Sequence, residues 1–235
     1  MTNEGLLTVL KEAYQVYLRT GARSNQKLTV LHGAIAEDLS DRLGEEFRVK
    51  ALGFEEGKES QITGRYMEKR VDISVMKNAE ALGGIAIKYI MSNYSQNSNN
   101  YFEGMLGETA NLRTAGKAYF QIVIMPKRLP YFKKDGMISK IETLKLHHLE
   151  KYLKLSEDNC DIFMHTPTKT LLILIDIPGV NEMNGRTKED YVDYFLNHPF
   201  EITFCHDDYR FQDSVIFNDY ESFMDKVVNY LNYLA

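Results

Sequence analysis

The sequence predicts one mixed α/β domain, a central sheet flanked by helices, and three observations carry that expectation. Apolar runs of strand length, Ala118 to Met125 and Thr170 to Ile177, stop at Pro126 and Pro178. Other segments repeat their apolar residues every three or four positions. The two kinds alternate along the chain. A length of 235 residues suits a single core, so residues 1–235 are read as one domain.

Leu6, Val9, Leu10, Ala13, Val16 and Tyr17 predict a first helix that Gly21 closes. Leu28, Leu31, Ile35, Leu39 and Leu43 predict a second, over about 27–43, with Gly44 at its end. A strand follows over 47–52, then a polar stretch. Residues 70–76 and 84–91 read as two strands of a hairpin joined by the turn-rich 77–83. Residues 92–100, crowded with amides and hydroxyls, predict a loop before a helix over 101–112. The rest predicts a strand over 118–125, a helix over 138–155, a strand over 170–177, a helix over 188–196, a strand over 200–205 and a last helix over 220–234.

Composition excludes several classes. With 44% hydrophobic and 26% charged residues the chain is neither disordered nor fibrous, and no apolar run is long enough to cross a bilayer. The first residues lack a signal peptide's pattern, and two cysteines make no disulfide framework, so a cytoplasmic protein without membrane partners is expected. The net charge of −5 gives no global footprint for nucleic acid, although a basic cleft can sit in an acidic exterior.

The residues that carry chemistry lie in the predicted hairpin. Asp72 stands between Val71 and Ile73, and Lys88 follows Ile87 in the next strand. A carboxylate and an ammonium among apolar residues need partners. From the residues alone an Asp–Lys ion pair across the hairpin remains an alternative to an active site. The order and placement of Val71-Asp72-Ile73 and Ile85-Ala86-Ile87-Lys88 resemble the PD-(D/E)XK nuclease superfamily, in particular type II restriction endonucleases, over about residues 27–125.

That resemblance implies a restriction-endonuclease-like fold and a Mg²⁺-dependent, sequence-specific endonuclease that cuts double-stranded DNA, commonly as a homodimer. Asp72 and Lys88 match the family's metal-binding acid and its lysine. The second acid, expected two residues before the lysine, is replaced by Ala86. A variant of the family carries this acid on the following helix, which makes Glu103 the expected catalytic and metal-binding partner of Asp72. Glu108 competes with it, and a helix turns the two apart by about 140°. Glu37, in His32-Gly-Ala-Ile-Ala-Glu37, is a further candidate. Each glutamate has a plainer reading as an ordinary helix acid.

Amides pair with adenine edges and hydroxyls with phosphates. Asn93, Tyr94, Ser95, Gln96, Asn97, Ser98, Asn99 and Asn100 are therefore expected on DNA, with Asn111 and Arg113 further along. A catalytically inactive DNA-binding protein with the same fold, and a structure-specific repair or junction nuclease, are the alternatives. Asp176-Ile-Pro-Gly179 lacks the phosphate loop a GTPase needs, and His147-His148 and Cys205-His206 lack partners at metal-ligand spacing.

Overall fold

Periodicity at the start of the chain becomes two antiparallel helices, α1 (Asn3–Thr20) and α2 (Gln26–Leu43), in a computed structural model that describes residues 1–55, 57–180 and 185–235. Gly21 and Gly44 end them at positive φ, and their backbone N–H groups bond back to Tyr17 and Ser40. The strands β1 (Arg48–Ala51), β2 (Ser60–Thr63), β3 (Glu68–Val71), β4 (Ile73–Lys77) and β5 (Glu80–Tyr89) follow. After them come α3 (Tyr94–Arg113), β6 (Ala118–Pro126), β7 (Arg128–Phe132), β8 (Ile138–Thr143) and α4 (Leu146–Ser156). β9 (Lys169–Asp176), α5 (Lys188–Asn197), β10 (Thr203–Phe204), β11 (Val215–Phe217) and α6 (Tyr220–Leu234) complete the chain.

The central sheet runs β1-β4-β5-β6-β9-β10, with β11 also beside β9. Its core, β5, β6, β9 and β11, is parallel, while β1, β4 and β10 join antiparallel, so the sheet is mixed as the sequence predicts. The parallel strands are apolar on both faces because helices cover both. Alternate residues such as Phe120, Ile122 and Ile124 pack under α1, α2 and α6, and Val123, Leu172 and Leu174 pack under α3 and α4.

Four expectations need correction. Residues 94–100 are the first turns of α3, because buried Tyr94 shares a helix face with Met105 and Tyr101, and that packing outweighs the weak helix propensity of the amides. Ile138 and Ile141 have helical spacing but lie in β8, paired with β7, and α4 begins only at Leu146. The expected strand over 200–205 shrinks to Thr203–Phe204. The strand expected over 70–76 breaks at Asp72, so that β3 pairs with β2 in a separate hairpin while β4 pairs with β5.

Candidate metal centre

The break at Asp72 builds the site. β4 meets β5 only as far as Ile73 opposite Ile85, so residues 86–89 of β5 run on beyond the end of their antiparallel neighbour. The Ile87 N–H would lose its partner there, and it donates instead to Asp72 Oδ2 at 2.7 Å. This bond fixes the carboxylate beside the protruding strand. Burial pushes the Asp72 carboxyl above its ordinary pKa; the Ile87 N–H opposes the shift, Glu108 adds to it and Lys88 offsets part of it.

Asp72 and Lys88 line one cleft of about 560 Å³. Lys88 is exposed, and its Nζ lies 4.7 Å from the centroid of the Tyr101 ring. That contact steadies the ammonium without neutralising it, and among the described residues Lys88 makes no ion pair. The Asp72–Lys88 ion pair that the residues alone left open is therefore not formed.

His32 also lines the cleft. It sits on α2, is wholly buried, and neither ring nitrogen has a hydrogen-bond partner. Burial lowers its pKa to about 4, with Glu59 pulling the other way, so the imidazole is neutral at pH 7. A neutral imidazole has a lone pair to give. Glu59 comes from the loop between β1 and β2, and donor atoms of His32, Glu59 and Asp72 all lie within 4.8 Å of one another. One nitrogen and two carboxylate oxygens, with a buried histidine otherwise unpartnered, fit a divalent cation.

Close backbone contact sets His32 against that loop. A Cβ on Gly33 would stand 2.7 Å from Gly53 O, and one on Gly53 would stand 2.2 Å from Thr29 O. Gly53 also has a φ of +82°, so glycine on each side lets α2 lie against the turn after β1.

The other expected residues are placed as follows. Glu103 is exposed on α3, on the side of Lys151, and does not line the cleft. Glu37 is exposed on α2 and does not line it either. Glu108 does, but Lys69 Nζ lies 2.5 Å from one carboxylate oxygen and the Tyr119 hydroxyl donates to the other at 3.1 Å. The acid that joins Asp72 is thus Glu59, from a loop, and the helix acids stand outside the three-residue cluster.

Most of the amide-rich segment has structural work. Asn93, at φ +52°, accepts from Phe132 N and donates to Phe132 O, closing the start of α3 against β7. Tyr94 is buried and its hydroxyl donates to His148 O. Ser95 bonds to Glu142, and Gln96 accepts from Asn93 and Tyr131. Asn97 lies beside the Tyr101 hydroxyl, and Lys151 donates to Ser98 O and Asn99 Oδ1. Asn111 holds the backbone of Tyr66 and Met67, and Arg113 donates to the carbonyls of Cys160, Phe163 and Thr166. Of these residues Asn100 alone lines the cleft.

The sequence pattern singles out neither His32 nor Glu59. His32 sits among apolar helix residues, and Glu59 belongs to a polar loop without periodicity, so only the folded chain joins them. No family model, curated protein or solved structure matches this chain. Among the described residues no helix is long and apolar enough to cross a membrane.

Proposed function

We propose that the chain is a divalent-metal-dependent endonuclease that hydrolyses phosphodiester bonds of double-stranded DNA, cutting at a specific short sequence. One observation carries the reading: donor atoms of His32, Glu59 and Asp72 lie within 4.8 Å of one another, and His32 and Asp72 line a cleft that Lys88 also lines. A cation held there supplies Lewis acidity and an acidified water.

The chain's own groups do the rest. The Ile87 N–H holds Asp72 in place, and His32 gives a neutral donor. Lys88, held over Tyr101, meets the scissile phosphate and its attacking water and offsets the negative charge that grows on the phosphate. In the hydrolysis the water oxygen bonds to phosphorus, one ester P–O bond breaks, and the leaving oxygen takes up a proton. Mg²⁺ is the ion that the family resemblance implies; the imidazole donor favours Mn²⁺ over it. Sequence specificity and twofold pairing on DNA come from that resemblance, and sizing the protein with and without DNA tests the pairing.

The test is digestion of long, unmethylated phage DNA with Mg²⁺ or Mn²⁺, beside Asp72→Asn, Lys88→Ala and an EDTA control. Discrete bands from the parent alone support a site-specific nuclease, and a smear supports cutting without sequence preference. DNA retention without cutting favours the binding protein, with Ala86 the trace of a lost acid.

A further inference from the structure

The tip of the β2–β3 hairpin holds two exposed apolar side chains next to each other, Tyr66 at 75% and Met67 at 66% exposure. Its backbone is braced. Gly64 N–H donates to Met67 O at 3.1 Å and Arg65 N–H to Asn111 O at 2.8 Å. The Asn111 amide accepts from Tyr66 N and Met67 N and donates to Met67 O. α3 thus fixes the turn while the aromatic ring and the thioether are left in water. A pair of apolar groups on a fixed backbone loses little freedom when it meets a partner.

Charge and position narrow what that partner is. Residues 61–70 carry Arg65, Lys69 and Arg70 against Glu68 alone, in a chain of net charge −5. The Arg65 guanidinium lies 5.8 Å from the centroid of the Tyr66 ring, and Arg70 is exposed and lines the cleft. Along the strand that leaves the tip, Lys69, Arg70, Val71 and Asp72 all line the cleft. Six residues of strand separate Tyr66 from Asp72, at most about 20 Å, which a duplex lying along the hairpin covers in about six base pairs. An aromatic ring among guanidinium groups suits a partner that offers flat rings and negative charge together, and DNA offers both.

We propose that Tyr66, with Met67 beside it, is a wedge that stacks on the bases of DNA lying in the cleft, with Arg65 on a flanking phosphate. The inference rests on the reading of the cleft as a DNA site and adds a contact away from the metal.

The chain has no tryptophan, so Tyr66→Trp places a single indole at the tip as a reporter. Its fluorescence is followed in EDTA while sheared phage DNA, or heparin as a polyanion without bases, is added. DNA is expected to quench the indole and heparin to leave it bright. Tyr66→Ala is expected to bind DNA about 5- to 150-fold more weakly than the parent, the effect of losing one stacked base, and to keep the parent's Tm and Mn²⁺ affinity. An indole that stays bright while the parent binds and cuts DNA would overturn the inference and leave the nuclease reading standing. Equal quenching by heparin would reduce the tip to a charge contact and overturn it too. A lowered Tm accompanying the weaker binding of Tyr66→Ala would make the tip structural, and a parent dimer that Tyr66→Ala dissociates in sedimentation would assign it to a second copy; either overturns the inference. Quenching by DNA and weaker binding by Tyr66→Ala, in a protein that cuts nothing, would support the wedge and overturn the nuclease reading alone. A parent that neither binds nor cuts DNA would overturn both.

Discussion

Asp72 and His32 each carry a folding cost that a binding site explains. The folded pKa of Asp72 is raised, so its charged form weighs on the fold at neutral pH and is relieved as the pH falls through that raised value. Asp72→Asn, which keeps an acceptor for Ile87 N–H, should therefore raise Tm at pH 7 and abolish cutting. His32 runs the other way. Its folded pKa of about 4 lies below the unfolded value of about 6.5, so no stability is lost above pH 6.5. Below that the unfolded chain takes a proton that the folded chain refuses, and stability falls by roughly 3 kcal/mol down to pH 4. Denaturant titrations across that range should show the fall in the parent and a flatter profile in His32→Phe. Glu59→Gln should lose metal affinity and cutting together. Glu103→Gln should keep both, because Glu103 stands outside the three-residue cluster. The reading of Asp72 and Lys88 from sequence rests on a local signal, charged residues inside apolar strands of one predicted hairpin. His32 and Glu59 carry no such signal, since their meeting depends on a helix packing on a loop.

At the scale of elements, the β2–β3 hairpin shows why the candidate DNA contacts were harder to read than the sheet. Asn111 accepts from Tyr66 N at 2.9 Å and Met67 N at 3.3 Å and donates to Met67 O at 2.9 Å. A Cβ on Gly64 would stand 2.2 Å from its amide. An amide on a helix looks the same in sequence whether it faces DNA or clips a hairpin; here it clips one whose end leads into Asp72. Asn111→Ala should cost about 2–4 kcal/mol in denaturant unfolding and open the hairpin to proteolysis near Tyr66, a residue 75% exposed. An unchanged unfolding midpoint would contradict this. The parallel strands were legible because their apolar runs are continuous. β8 was not, because Ile138 and Ile141 mimic a helical interval, and α3 was not, because its opening residues favour turns and tertiary packing decides their conformation.

Across the whole molecule the net charge of −5 sits beside a cleft lined by Lys27, Lys69, Arg70 and Lys88 as well as Asp72 and Glu108. On the proposed nuclease reading, these basic groups would be the local footprint for DNA that bulk composition hides. Lys69 is tied to Glu108, so only a few phosphates can be neutralised, and the slope of log affinity for DNA against log salt should be about −2 to −4. A slope near zero would place DNA, if it binds at all, elsewhere. The central claim is that His32, Glu59 and Asp72 hold one cation. Calorimetric titration of Mn²⁺ into the parent and into His32→Ala at pH 7 tests it most directly. One site per chain in the parent, absent from His32→Ala while that variant keeps its fold, is the result the account predicts; equal Mn²⁺ binding by the two proteins would contradict it.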